Sequence, residues 1–212
     1  MAWVSRDDYL SQSEMENNAN IIINYYRGQG LEDRTIAAIL GNMQAESTIS
    51  PVLTERGGGG GYGLVQWTPM SNLTDACNIL GLSPYTSGDV QIQVIIQEII
   101  GPQSIRQWYT SQGFISNYYN SGATNDMIGI SGNDFLHNTM NWNPDKLAVM
   151  FMAGYERPSY NPLINHYQNR MQYALNWFNY MGGVVPPTPT PTNKRDRYNF
   201  ILFNRRRRFR NG

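Results

Sequence analysis

A mainly α fold of the α+β class, confined to residues 8–183, is what the sequence predicts. Two observations carry that prediction. Apolar residues recur at helical spacing in six separate stretches, and a polar, proline-rich break, GGVVPPTPTPTN, follows the last of them at 182–193. The 212 residues suffice for one good-sized domain with an appendage. A hydrophobic fraction of 41% excludes wholesale disorder. Charged residues make up only 15%, against about 25% in an average domain; Asn, Gln, Ser and Thr supply the missing polarity.

The first stretch opens on Ser13 and Glu16, spaced as a capping box, and continues through Met15, Ala19, Ile22, Ile23 and Tyr26 until Gly28 and Gly30. Asp33 can cap the second, whose stripe Ile36, Ile39, Leu40, Met43 runs towards Glu46 before Pro51. Leu73, Ala76, Cys77 and Leu80 make a third. Ile92, Ile95, Ile96, Ile99 and Ile100 make a fourth, although its start, VQIQV, also alternates like a strand. Residues 103–142, rich in Gly, Asn, Ser and Tyr, favour neither period. Asn143 and Pro144 are the cap and first turn of a helix carrying Leu147, Met150 and Phe151. A last stripe runs Ile164, Tyr167, Met171, Ala174, Leu175, Phe178.

Net charge is zero, but residues 1–185 carry 8 Lys+Arg against 15 Asp+Glu, and residues 186–212 carry 8 against a single acid, Asp196. The boundary therefore falls at the break: residues 184–193 form an extended Pro/Thr-rich linker, because proline favours polyproline II, and residues 194–212 form a basic aromatic tail. Cys77, the single cysteine, can make no internal disulfide. No apolar run approaches the ~18 residues of a membrane span, and the N-terminus lacks the apolar stretch of a signal peptide.

Chemistry concentrates in GNMQAESTISP (41–51), LTERGGGGG (53–61) and GYGLVQWTP (61–69). Glu46 follows Met43 by three residues at the expected end of its helix, so its carboxyl is expected to have apolar wall on one side and solvent on the other. Such a site favours the neutral acid, the form that protonates a leaving alkoxide in acetal cleavage. A lone glutamate at a helix end is more often ordinary surface; here its neighbours argue for a site.

Glu46-Ser47 followed by Gly61-Tyr62-Gly63-Leu64-Val65-Gln66 resembles the E-S and G-x-G-L-x-Q motifs of goose-type lysozymes and soluble lytic transglycosylases. The strings NMQAESTISP, GYGLVQWTP and LAVMFMAGYERP resemble more closely the lysozyme domain of short-tailed bacteriophage tail-tip lysins, over about residues 8–180. The resemblance implies a lysozyme-like fold with a small Gly-rich loop or hairpin at the cleft. It implies Glu46 as general acid and base, Tyr155 as the hydrogen-bond partner of Glu46, and Gly63, Leu64 and Gln66 as cleft wall, with Ser47 behind Glu46. It also implies peptidoglycan as substrate, a place in the virion tail, and synthesis in the host cytoplasm without a signal peptide. Some such lysins carry a zinc peptidase domain after the linker; here nineteen residues follow it, and that domain is expected to be absent.

Other residues admit two readings. Trp67 could stack on a pyranose or sit in the core. Tyr62 is placed with the cleft residues. Glu156 could be a second carboxylate facing the glycan or pair with Arg157 as ordinary structure, the favoured reading; Glu55 and Asp75 are the other candidates for a second acid. Cys77, on an apolar stripe, reads as a buried thiol rather than a nucleophile served by His137 or His166. The five-glycine run 57–61 lacks the Lys-Ser/Thr of a phosphate cradle and reads as a cleft loop. No metal ligand set and no cofactor is expected.

By that resemblance the chain is expected to be a glycosidase of the β-1,4 bond between N-acetylmuramic acid and N-acetylglucosamine, working by hydrolysis or by transfer to the muramyl 6-hydroxyl. It is expected to open the cell wall while phage DNA passes. The tail, YNFILFNRRRRFRNG at its end, reads most simply as a solvated charge run; among functional roles docking on tail or tail-knob proteins ranks ahead of attraction to phosphate-rich wall polymers and of nucleic-acid contact. The rival from another class is a structural tail protein that only binds glycan or nucleic acid.

Overall fold

The computed structural model describes residues 2–56 and 58–184. The proposed linker from 185 onward, the basic tail, and Gly57 of the glycine run lie outside the described residues. The rest is mainly helical: α1 Gln12–Gly28, α2 Asp33–Ser47, α3 Ser71–Leu80, α4 Gly88–Ile100, α5 Gln112–Ile115, α6 Gly132–Leu136, α7 Pro144–Phe151 and α8 Tyr167–Tyr180. No strand occurs among the described residues. The β part of the expected α+β fold is reduced there to isolated bridges, Thr54 with Tyr62 and Tyr62 with Trp67.

Helix limits depart from expectation in instructive ways. Ser11, not Ser13, caps α1, and its capping box closes with Glu14 in place of Glu16. Glu32 rather than Asp33 caps α2, accepting from the Arg34 backbone N–H at 2.7 Å. The ambiguous VQIQV is helical; Val90, Gln91, Ile92, Val94, Ile95, Ile96, Glu98 and Ile99 of α4 are all buried, and the polar outer stripe of Asp89, Gln93 and Gln97 is too narrow to show its period within five residues. Residues 103–142 fold as α5 and α6 with two 3-10 turns, Ser116–Ser121 and Asn125–Met127, between them. Asn143 and Pro144 begin α7 as expected. Helix α8 starts at Tyr167, leaving Ile164 exposed before it.

Helix α2 is the axis of the core, with Thr35 to Met43 all buried, and it packs on α7 and α8. The approach to α8 depends on Gly41: a Cβ there would lie 2.6 Å from the Ala174 nitrogen and 2.7 Å from the Arg170 oxygen. With no side chain in the way, the α8 backbone comes down onto α2 one turn before Glu46.

Candidate active site

Glu46 sits in the last turn of α2, beyond which the chain reverses sharply. Thr48 and Ile49 both have left-handed backbones, φ 50 and 61, a costly conformation for β-branched residues. The turn is held by Leu10 N–H donating to Thr48 Oγ1 at 2.8 Å and Asn18 Nδ2 donating to the Ile49 carbonyl at 2.9 Å. Apolar wall is not what meets Glu46 Oε1. Arg170 of α8, only 4% exposed, donates to it. The guanidinium is aimed by Asn42 Oδ1 at 2.9 Å and by the Asn165 carbonyl at 2.9 Å.

The Gly63–Gln66 segment folds as a tight turn against the end of α2. Ser47 Oγ donates to the Leu64 carbonyl at 2.9 Å, joining the two motifs physically. On the far side, Gln91 of α4 accepts from Leu64 N–H at 3.0 Å and donates to the Pro51 carbonyl at 2.7 Å. Gly63, at φ 78, has no room for a side chain, since a Cβ would lie 2.6 Å from Gln91 Oε1. Gln66 spends its amide N–H on the Leu53 and Gly63 carbonyls at 2.9 and 3.0 Å.

These elements enclose a cleft of about 560 Å³ lined by Glu46, Glu55, Gln66, Trp67, Glu98, Tyr155 and Glu156, with Gln107 and Arg157 at one end. A short π-helix, Met152–Glu156, continues α7 and carries Tyr155 and Glu156 to the wall. Of the residues assigned to the glycan, Gln66, Trp67 and Glu156 line the cleft; Ser47, Tyr62, Gly63 and Leu64 stand behind it. Tyr62 packs on Tyr85, ring centroids 5.8 Å apart, and Leu64 is fully buried. Trp67 belongs to the core, 6% exposed.

Three expected relationships are corrected. Tyr155 donates to Glu98, not Glu46. Glu156 makes no ion pair with Arg157, whose guanidinium goes to the carbonyl of Gln107 and, at 2.7 Å, to its Oε1; Glu156 Oε1 is buried without a hydrogen-bond partner. Asp75 is exposed on α3 away from the cleft, whereas Glu55 lines it and accepts from Gly61 N–H at 2.9 Å. Cys77 is a free thiol in the core, 3% exposed, raised by burial and the nearby Glu98 charge. Among the described residues no group of three His, Cys, Asp or Glu is placed to hold a metal, and no helix is long and apolar enough to cross a membrane.

Glu98, absent from the sequence candidates, is the most deeply buried acid of the cleft, 1% exposed. It accepts from Trp67 Nε1 at 3.2 and 3.0 Å and from Tyr155. Burial pushes its carboxyl up to about 7 in spite of those two hydrogen bonds and the Arg157 charge, which pull it down. Glu156 is pushed up as well, by burial and then by the neighbouring Glu46 charge. A signal exists for both missed residues: Glu98 lies four and three residues after Val94 and Ile95, on their buried face of α4, and Arg170 falls between Tyr167 and Ala174 on the inward stripe of α8. The cleft thus holds the ion-paired Glu46, two carboxyls whose acid form is favoured by burial, Glu98 and Glu156, and Glu55, an inventory suited to moving a proton onto a leaving oxygen.

The profile of the phage tail lysozyme family matches residues 17–181. Morphogenesis protein 1 of Bacillus phage B103 is 32% identical over 183 residues, a stretch covering 84% of this chain and 43% of that relative. The chain therefore spans less than half the length of the curated relative it matches.

Proposed function

Because the chain belongs to the phage tail lysozyme family, we propose that residues 8–183 form a virion-borne peptidoglycan glycosidase acting on the β-1,4 bond between N-acetylmuramic acid and N-acetylglucosamine. The observation that carries this reading is the convergence of Glu46, Glu98 and Glu156 on one cleft of about 560 Å³, a volume within the usual range for small-ligand sites. Acetal cleavage asks for a proton on the leaving oxygen and for stabilisation of the oxocarbenium centre.

Glu46 is the group assigned to give that proton and to take one back from the attacking nucleophile. Arg170 donates to its Oε1 and so fixes the carboxyl at the cleft wall. Burial and the neighbouring Glu46 charge push the Glu156 carboxyl well above its ordinary range, so the pair can share one proton between two carboxyls, the arrangement that lets a site act as acid first and base second. Gln66 and Trp67 shape the wall.

If Glu98 and Glu156 are both neutral, the oxocarbenium centre is stabilised by the substrate's own 2-acetamido group. The attacking nucleophile is then water or the muramyl 6-hydroxyl. The role extends to local opening of the host wall during genome delivery, with residues 194–212 docking the protein on the tail. Mass spectrometry of muropeptides released from purified walls tests the reading. Products ending in reducing or 1,6-anhydro N-acetylmuramic acid support it and name the nucleophile. Release of peptide fragments alone, or of nothing, refutes it.

A further inference from the structure

Glu98 sits in a network whose donors and acceptors do not balance in both of its protonation states. An indole N–H only donates, whereas a phenol hydroxyl both donates and accepts. When ionised, Glu98 accepts from Trp67 and Tyr155 together. When protonated, it must place a hydrogen of its own, and Trp67 offers no acceptor. Of its two partners only the Tyr155 oxygen can take that hydrogen, and when it does the Tyr155 hydrogen has to leave Glu98. Both residues line the cleft, and Tyr155 is otherwise packed against Phe151, ring centroids 4.6 Å apart, which leaves the cleft side for the released donor.

We infer that Glu98 is a positioning residue of the cleft: by gaining or losing a proton it reverses its hydrogen bond with Tyr155, turning the Tyr155 hydroxyl towards the bound glycan or back into the wall. This rests on the glycosidase reading of the cleft. The charged and titratable groups around Glu98 favour such a switch at neutral pH. Burial raises Glu98 to about 7, and Arg157 opposes the rise. Tyr155 is raised well above its ordinary value by burial and by the Glu98 and Glu156 charges, so it stays a hydroxyl throughout. Cys77 from α3 is raised too, and Tyr26 from α1, whose hydroxyl donates to the Ile92 carbonyl of α4 at 3.3 Å, is held neutral by burial. Glu98 is then the group of this cluster that changes charge near neutrality, beside Glu156, which burial and the Glu46 charge also push up.

The test uses the full chain with nitrogen-labelled tryptophan, following the Trp67 indole N–H by NMR from acid to alkaline pH, together with the pH profile of wall clearing. In the native protein the Trp67 signal is expected to titrate with a midpoint of about 7. It should stay flat in Glu98→Gln, and in Tyr155→Phe the midpoint should rise by roughly one unit, because the charge-assisted bond lost by the ionised form is stronger than the neutral bond lost by the protonated form. Clearing by the native protein is expected to inflect at the same midpoint, and Glu98→Gln to lose that inflection. A Trp67 midpoint unmoved in Tyr155→Phe, or an inflection surviving in Glu98→Gln, overturns the inference. Native protein that clears walls at no pH overturns the glycosidase reading instead, and the Tyr155→Phe midpoint then decides the hydrogen-bond switch by itself.

Discussion

Ser47 Oγ donates to the carbonyl of Leu64 at 2.9 Å while also reaching the Met43 carbonyl at 3.1 Å. The hydroxyl is the bolt between the helix that ends at Glu46 and the turn that carries Gln66. Ser47→Ala leaves the Leu64 carbonyl buried without that donor, at a cost of about 1 to 3 kcal/mol. Stability measured in urea should fall by that amount. Clearing should fall more steeply than stability, because the turn is free to move relative to Glu46. Unchanged clearing in the folded variant would show that the bolt does not set the cleft.

The motifs of this cleft were legible because each is local: Glu46-Ser47 and Gly63 to Gln66 are contiguous, and their residue types are set by one tight turn and one helix end. What escaped was tertiary. Ser11 with Glu14 and Ser13 with Glu16 have the same spacing, and only the packing of the preceding chain chooses between them. Arg170 lies 124 residues from Glu46, and nothing in its neighbours announces the pair. The motif points Tyr155 at Glu46, whereas the hydroxyl meets Glu98, a choice set by how α4 lies against the π-helix after α7. Glu98 shares the inward face of Val94 and Ile95, but it directly follows Gln97 of the outer stripe Asp89, Gln93, Gln97, and only packing shows what it meets.

Glu46→Gln is expected to abolish wall clearing, as the amide cannot deliver a proton. It should also destabilise the fold. Arg170 is 4% exposed, and removing the carboxylate leaves its charge facing a neutral oxygen. The loss should be on the order of 2 kcal/mol, below the roughly 3 to 5 kcal/mol of a fully broken buried pair, because Gln keeps an acceptor and Glu46 is partly exposed. Thermal melts and turbidity assays on the same preparation measure both. Clearing above a tenth of the native rate would remove Glu46 from the catalytic role.

Gly41→Ala tests how α8 reaches the site. The added methyl would sit 2.6 Å from the Ala174 nitrogen, so α8 must retreat and carry Arg170 with it. Overpacking of this kind costs about 1 to 3 kcal/mol, and clearing should drop although no cleft residue has changed. A variant with native activity and native melting would mean that the two helices separate freely there.

Glu98→Gln should change the pH dependence of stability in a direction fixed by linkage. The folded-state carboxyl is raised from 4.5 to about 7, so between those values the folded protein holds a proton that the unfolded chain has released. Native stability therefore loses its Glu98 contribution progressively as pH rises from about 4.5, with the full penalty present above about 7. A shift of this size corresponds to something on the order of 3 kcal/mol. The amide has no such penalty, so the stability difference, variant minus native, should grow more positive from pH 5 to pH 8. A difference that is flat or of opposite slope in urea titrations would mean that Glu98 is ionised at neutral pH.

The last prediction concerns residues 186–212, whose balance of 8 Lys+Arg against one acid opposes the excess of acids in the preceding 185 residues. If this stretch targets the wall by charge, its removal should weaken binding to isolated walls. Raised salt should weaken the full chain in the same way, since exposed charges are screened over about 8 to 10 Å at physiological ionic strength. The run Tyr198 to Phe203 argues for docking instead. A charge tether gains little from Phe200, Ile201, Leu202 and Phe203, whereas a protein groove gains about 1.5 to 3 kcal/mol for each such side chain it fully buries. Truncation after residue 185 is therefore expected to spare clearing of purified walls and to prevent incorporation into assembled particles. Truncated protein present in purified virions at native copy number would remove docking as the role of this stretch, and salt-sensitive wall binding by the full chain would then assign it to the wall.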